Sequence, residues 1–380
     1  LISKILMMQI LFFVDSFLPG YRRGGPIASI SNLASLLNDR INILICTRNH
    51  DFGDTKVYTG IASDVVTKFE DKKVIYLSKL NILSVLKTID DFNPDVIYLN
   101  SFFSKATQLV FFLNYIKYNK KIVIAPRGEL QVNALKIKRI KKYTYLFLYK
   151  FLQMQKIAHF HSTDIIETES IKKLLNVNNI TEISNVVKIH TFKPLNKKKH
   201  ELKIIFVSRI SKKKNLLFAL ECLKSIKHDV VFDIYGPKED VGYWNECQNV
   251  INNLPANIKV KYKGGVDQKK VIPIMRRYHV FLLPTRSENF GHVIVEAMQA
   301  GLIPIISDQT PWVGLQDVNI GWSIPLNRKV DYIKAIDSLC KINSKDYMNK
   351  SSRTMSYIHT KIDINLIAEK YLNFFYKINT

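Results

Sequence analysis

Two glutamates flank a glycine in the segment running from Pro284 to Gly301. Glu288 and Glu296 are separated by seven residues, and Gly291 lies between them. The segment follows the apolar run Val280–Leu283 and passes into an amphipathic stretch, which predicts a loop joining a strand to a helix. Glycine in such a loop lets the backbone come close to a ligand. The exposed amides of the first helical turn suit negatively charged oxygen. Glu296 falls one turn beyond His292, where a carboxylate can accept hydrogen bonds from vicinal hydroxyls such as those of a ribose. Glu288, in the loop, can contact a second polar group. Two acids favouring a helix dipole are the plain structural alternative. The coincidence of strand, loop, glycine and both acids favours chemistry.

A second set of residues lies between a strand at Leu202–Val207 and a helix starting at Asn215. This loop reads Ser208-Arg209-Ile210-Ser211-Lys212-Lys213-Lys214. A basic loop after a strand can cradle a diphosphate, Arg209 giving a two-pronged fork and Lys214 a point charge. Lys212 and Lys213 read as solvated surface. Gly24-Gly25-Pro26 follows the first strand, and its backbone amides can approach a phosphate or a sugar. It is no GxGxxG motif, and an ordinary turn explains it equally well. Arg127 and Glu129, in Ala125-Pro126-Arg127-Gly128-Glu129, also follow a strand. They can hold an acceptor or a departing phosphate, or form a simple ion pair at a strand-to-helix turn.

The stretch Ala134–Lys156 contains seven lysines and arginines and no acid, interleaved with Tyr143, Tyr145, Phe147, Tyr149 and Phe151. A basic-aromatic helix of this kind suits an anionic membrane surface. Nucleic acid is a competing partner, without any accompanying nucleic-acid motif. A surface helix with its lysine stems lying along apolar neighbours is the third option. His161 and the run Ser307–Trp312 read as structural or peripheral.

These residues need elements to position them. Apolar runs at Ile10–Val14, Ile41–Cys46, Asp95–Leu99 and Lys121–Ala125 alternate with amphipathic helices such as Ile27–Leu37. The rhythm breaks near 185–202, at Pro194 and the polar run Asn196–His200, which reads as a linker. It restarts with strands at Leu202–Val207, Val230–Tyr235, Ile258–Tyr262, Val280–Leu283 and Ile303–Ser307, and ends in a helix at Ile364–Ile378. Such βαβ alternation predicts parallel sheets covered by helices. The expectation is an α/β chain of two doubly wound, Rossmann-like domains facing each other across a cleft. Residues just beyond the strand ends are then the first candidates for ligand contact.

Composition sets the outer bounds. The chain has 380 residues, 47% hydrophobic and 23% charged, with a formal net charge of +24. This is a globular composition long enough for two cores, and it excludes wholesale disorder. The excess charge is spread over both halves and points to a polyanionic partner. The four cysteines are dispersed, with no CxxC, so neither a disulfide framework nor a zinc site is expected. The apolar stretch from Ile5 to Phe17 is interrupted by Gln9 and Asp15 and is too short to span a bilayer. It has no cleavage site of small residues. Residues 1–7 read as an extension ahead of Met8, and the expected location is the cytoplasm.

Together these motifs resemble the retaining, nucleotide-sugar-dependent glycosyltransferases of family 4, which have the GT-B fold. The Glu288 and Glu296 pair with Asn289-Phe290-Gly291 between looks like that family's Glu–x7–Glu signature. Arg209 and Lys214 match its cations after the first strand of the second domain. Gly24-Gly25 matches its N-terminal glycine loop, and Gly236 in Tyr235-Gly236-Pro237 its strand-ending glycine. Pro126–Glu129 and Ser307–Trp312 look like the subgroup that builds bacterial capsule, O-antigen and other surface polysaccharides.

The resemblance implies sugar transfer with retention and no metal or other cofactor, the donor being a nucleotide-diphosphate sugar. It implies that Glu296 binds the ribose and that Glu288 contacts the donor sugar near the reacting carbon. Amides around Phe290, Gly291 and His292, with Asn289, would hold sugar or phosphate. Arg209 and Lys214 would neutralise the leaving diphosphate. Gly24, Gly25 and Gly236 join the donor contacts. Many relatives carry a histidine near the reaction centre; the matching region here offers Arg127 and Glu129 on the acceptor side, or Asn100-Ser101. No general base is assigned, because the leaving phosphate can itself take that role.

The expected domains are 1–190, binding the acceptor, 191–360, binding the nucleotide sugar, and 361–380, a helix crossing back to the first domain. The expected partners are a glycan or polyprenyl-diphosphate-linked acceptor and the inner face of the cytoplasmic membrane, and no nucleic acid. Two competing readings remain. One is a basic, non-catalytic nucleic-acid-binding protein, which predicts strongly salt-dependent binding. The other is a phosphorylase or epimerase of the same fold.

Overall fold

A computed structural model describes residues 7–136, 138–188, 195–197 and 201–380. Pro194 and residues 198–200, part of the stretch read as a linker, and most of the extension ahead of Met8 lie outside the described residues. The chain divides into two units, Leu1–Val187 with Ile364–Thr380, and Lys188–Asp363.

The first unit is built on eight strands: β1 (Gln9–Val14), β2 (Asn42–Arg48), β3 (Val66–Phe69), β4 (Lys72–Leu77), β5 (Val96–Asn100), β6 (Lys121–Ala125), β7 (Ala158–Ser162) and β8 (Ile180–Glu182). They lie in the order β3-β4-β2-β1-β5-β6-β7-β8. All pairs are parallel except β3 with β4. The helices are α1 (Gly25–Leu37), α2 (Ile82–Phe92), α3 (Lys105–Ile116), α4 (Val132–Leu135), α5 (Arg139–Phe151) and α6 (Ile165–Leu175). β5 is buried at every residue and β1 at all but its first, as expected for central parallel strands covered on both faces.

The second unit has six strands: β9 (Glu201–Val207), β10 (Asp229–Tyr235), β11 (Ile258–Tyr262), β12 (Val280–Leu283), β13 (Ile303–Ser307) and β14 (Trp322–Ile324). Their order is β11-β10-β9-β12-β13-β14, all parallel. The helices are α7 (Leu216–Leu223), α8 (Val241–Asn252), α9 (Gln268–Met275), α10 (His292–Gln299), α11 (Lys329–Lys341) and α12 (Ser344–Lys361). The sheet turns outward in opposite directions from β9 and β12. The space beyond those two strand ends is the unit's topological switch point. In the first unit the equivalent neighbours are β1 and β5.

The last helix, α13 (Ile364–Asn379), returns to the first unit. Its face of Tyr371, Phe374 and Phe375 is buried, with Phe375 6.4 Å from Phe12 and 6.0 Å from Tyr98 between ring centres.

Several elements differ from the sequence reading. The hairpin β3–β4 carries Lys68, Lys72 and Lys73, and the apolar run Val74–Leu77 within β4 was not among the strands read from the sequence. His161 lies on the strand β7, next to its last residue. α6 starts at Ile165, capped by the Asp164 side chain, which accepts from the Glu167 amide at 2.8 Å.

Candidate active site

In the second unit three loops meet beyond the strand ends. They follow β9 (208–215), β12 (284–291) and β13 (308–312). The first two are joined by their backbones, since the Arg286 amide donates to the Lys213 carbonyl at 2.8 Å. The Thr285 hydroxyl donates to the same carbonyl at 3.2 Å. The second and third are joined where the Glu288 amide donates to the Gln309 carbonyl at 2.9 Å. Trp312 completes the clasp: its indole N–H donates to the Phe290 carbonyl at 2.7 Å. The Ser307–Trp312 run, read as structural or peripheral, thus has a structural role as the support of the Glu288 loop.

Gly291 sits at φ 77°, in the left-handed region, and caps α10. A Cβ there would lie 2.8 Å from the Ile294 side chain and 3.1 Å from that of Glu288. Both conformation and space therefore demand glycine. No side chain caps α10, and within its first turn the Ile294 amide donates to the Gly291 carbonyl at 2.8 Å. Gly236 answers a different constraint. Paired β9 and β10 end side by side at Val207 and Tyr235, and a Cβ on Gly236 would meet the Ser208 carbonyl at 1.9 Å. The glycine is what lets the basic loop leave its strand.

The charged residues are brought together in pairs. Lys214, only 7% exposed, donates from Nζ to the Glu288 carboxylate, which is itself largely enclosed. Arg209 pairs with Glu239 at 2.6 Å, both 42% exposed. Glu296 is half-buried on α10 and accepts from the side-chain amide of Gln268, the first residue of α9. Burial pushes the Glu296 carboxyl up to about 8, partly offset by that hydrogen bond. Glu239 lies 30 residues from Arg209 and Gln268 lies 28 from Glu296, so spacing carried no trace of either pairing.

The first unit holds the remaining sequence candidates. Gly24 caps α1 and Gly25 is its first residue, with no side-chain cap. Arg127, at φ 55°, has its three guanidinium nitrogens engaged. Nε donates to Asn100 Oδ1, Nη1 to Asn185 Oδ1 and Nη2 to the Tyr98 hydroxyl, each at 2.8 Å. The Tyr98 hydroxyl also bonds His161 Nδ1 at 2.6 Å, and His161 Nε2 lies 2.9 Å from the Ile183 carbonyl and 3.3 Å from the Tyr371 hydroxyl. Burial, with the Arg127 charge, pulls His161 down to about 3, so the ring is neutral. Glu129 accepts from the Ser101 hydroxyl at 2.9 Å and from the amides of Phe102 at 2.7 Å and Phe103 at 3.1 Å. Burial raises its carboxyl. Arg127 and Glu129 thus serve separate loops, and the ion pair between them that the sequence allowed is not formed.

Residues 187–355 match the family described as Glycosyl transferases group 1. They form a group 1 glycosyltransferase domain. It contains Arg209, Lys214, Gly236, Glu288 and Glu296. A Klebsiella pneumoniae protein described as an uncharacterised 41.2 kDa protein in the cps region is 23% identical over 88% of this chain and 95% of its own length. GDP-mannose:cellobiosyl-diphosphopolyprenol alpha-mannosyltransferase of Xanthomonas oryzae pv. oryzae is 27% identical over 45% of each chain. The capsular polysaccharide biosynthesis glycosyltransferase CapM of Staphylococcus aureus is 30% identical over 46% of this chain and 50% of its own. Among solved structures, Anabaena Alr3699/HepE in complex with UDP and glucose matches with a TM-score of 0.72 at 16% identity, covering 97% of this chain and 100% of that one. That likeness shows the fold, GT-B, with the group 1 domain as its second Rossmann-like unit.

Proposed function

We propose that the chain is a retaining glycosyltransferase that moves a sugar from a nucleotide diphosphate onto a lipid-linked glycan in bacterial surface-polysaccharide assembly. The observation that carries the reading is the pairing in the second unit. Arg209 and Lys214 stand after the first strand, each held by a carboxylate that a ligand can replace. On donor binding the diphosphate takes the two cations from Glu239 and Glu288. The amides of the first turn of α10 face its oxygens. Glu296 receives the ribose hydroxyls, and Glu288, released from Lys214, faces the donor sugar. As the glycosidic bond breaks, charge grows on the leaving diphosphate and the preset cations stabilise it. The leaving phosphate oxygen accepts the proton of the attacking hydroxyl. No metal cofactor has a part in this scheme, because Arg209 and Lys214 supply the counter-charge. Gly24 and Gly25 lend backbone contacts to the donor.

The polyprenyl-linked acceptor draws support from the Xanthomonas relative's printed name and from α5. That helix leaves Ile140, Phe147 and Phe151 exposed by 85%, 68% and 72%, beside Arg139, Lys141 and Lys150. Apolar anchors flanked by cations suit an anionic leaflet, here the inner face of the cytoplasmic membrane rather than nucleic acid. Among the described residues no helix is long and apolar enough to cross a membrane.

The test is a thermal-shift screen of nucleotide-diphosphate sugars in the presence of EDTA, followed by transfer with the donor that binds and NMR of the product anomer. Stabilisation by mass action is expected from one nucleotide class, with transfer lost in Glu296→Ala and in Arg209→Ala. Full activity of both variants, or stabilisation by none of the donors, refutes the reading.

A further inference from the structure

The two oxygens of Glu296 are not equivalent. Oε1 accepts from Gln268 Nε2. Oε2 has no hydrogen-bond partner among the described residues and is not buried. One oxygen is committed inside the protein, and the other is open to a ligand. A carboxylate oxygen has room for two donors, so Oε2 alone can receive a vicinal diol.

The backbone brings Gln268 to this place by several fixed points. The loop after β11 (263–267) joins the site where the Gly236 amide donates to the Gly264 carbonyl at 2.7 Å. Asp267 then caps α9, its carboxylate accepting from the Lys269 amide at 2.8 Å. Val271 and Met275 are buried on α9, which packs against α10. Gly291 sets the start of α10 in turn. Gln268 is the first residue of α9 and reaches Glu296 from a position that its own helix defines.

The chemistry of the partner matters. Lys214 holds Glu288 with a charge that a diphosphate can draw away. Gln268 holds Glu296 with a neutral amide, which gains far less from a phosphate and stays in place when one arrives. A long carboxylate side chain loses rotamer freedom when it binds, and a bond that fixes it beforehand removes that cost from ligand binding. The same bond favours the charged carboxylate against the burial that opposes it, and the charged form is the stronger acceptor for a hydroxyl.

We propose that Gln268 is a positioning residue for nucleotide recognition: its amide fixes Glu296 Oε1 so that Oε2 is presented to the ribose hydroxyls of the donor. This deepens the transferase reading above and rests on its assignment of Glu296 to the ribose.

The experiment measures binding of UDP, GDP, ADP and CDP, and of the 2′,3′-dideoxy form of each, to the full chain by titration calorimetry. The nucleotide that binds most tightly and its dideoxy form are then compared in Gln268→Met and Gln268→Ala, which remove the donor with and without keeping the bulk of the side chain. Wild type is expected to prefer the ribose form. Both variants should weaken that form by about three- to tenfold, the worth of one hydrogen bond. Both should bind the dideoxy form as wild type does, because the amide and the hydroxyls then belong to one interaction. Retained binding of the dideoxy form also shows that the variants fold, and if one does not, the other decides. Equal losses for the two forms would make Gln268 merely structural, and tighter binding would make it a competitor for the carboxylate. Either result, or unchanged affinity, overturns the role while leaving the transferase reading intact. A wild type that binds both forms equally refutes the assignment of Glu296 to the ribose, and the role of Gln268 with it. A wild type that binds none of the nucleotides refutes the transferase reading itself.

Discussion

The loop after the first strand of the second unit presents Arg209 and Lys214, each on a carboxylate. At the strand ends of the first unit, Arg127 is held instead by two asparagines and a tyrosine. The acceptors of its hydrogen bonds are neutral, Tyr98 and Asn100 on β5 and Asn185 beyond β8, and the Glu167 carboxylate acts on it electrostatically. The difference teaches which cations beside a strand end are available to a ligand. A cation on a carboxylate can exchange one anion for another at little net cost. A guanidinium whose hydrogen bonds all go to neutral acceptors has no bonded carboxylate to exchange, and taking it away strands several buried polar groups. The second unit keeps its charge tradable, while the first uses Arg127 as a bracket.

The largest expected effect tests the tradable side. Lys214→Ala should lower the transfer rate by about 10²–10³, the usual consequence of removing one preset charge at a leaving group. It also leaves Glu288 enclosed without its partner, so the denaturant midpoint should fall as well. Arg209→Ala should share the loss of rate with almost no loss of stability, because its pair is exposed. Equal destabilisation by the two variants would break the distinction drawn here.

The bracket side comes next. Arg127→Ala should cost about 3 kcal/mol of stability through the orphaned Asn100, Asn185 and Tyr98 groups, read by chemical denaturation. The shift produced by nucleotide sugar should survive, since that ligand is assigned to the second unit. Loss of the nucleotide shift at unchanged stability would mean that Arg127 is tradable after all.

A third prediction concerns Glu296, and its effect builds up with pH. Its folded carboxyl stands at about 8 against a usual 4.5, so between those values the folded protein keeps a proton that the unfolded chain has released. That contribution to stability is present at acid pH and is lost as the pH rises through the interval. Glu296→Gln cannot titrate. Its stability relative to wild type should therefore improve steadily from about pH 5 toward pH 8, measured by denaturant midpoints, while nucleotide affinity falls. A constant difference across the interval would place the raised carboxyl elsewhere.

How much of this was legible in the sequence depends on burial. β12, β13 and β5 are wholly buried, and continuous apolar runs announced them. The helix at Ile364 showed its period clearly for the same reason. In the hairpin β3–β4 the edge strand β3 has no buried residue, and β4 opens with two lysines ahead of a short apolar run, Val74–Leu77. Within the site, Gly291 and the two glutamates were legible because strand, glycine and helix impose their own spacing. The pairing of Lys214 with Glu288 was not, since it joins residues from different loops. Gln268 was invisible for a like reason: nothing about an amide at the start of a helix says which carboxylate lies across from it. Arg127 shows the opposite error, a charged residue noticed at a strand end whose hydrogen-bond acceptors were neutral and scattered from Tyr98 to Asn185.

The return of α13 has a consequence for biosynthesis. The second unit is continuous in sequence, from Lys188 to Asp363, whereas the first is interrupted by it. On the ribosome the whole of the second unit emerges before Tyr371, Phe374 and Phe375 exist to cover Phe12 and Tyr98. At translation speeds of roughly 5–20 residues per second, the older half of the polypeptide waits many seconds with an aromatic seam uncovered. The younger half can finish folding first. For that interval the nascent N-terminal half is the part of the molecule most in need of a chaperone.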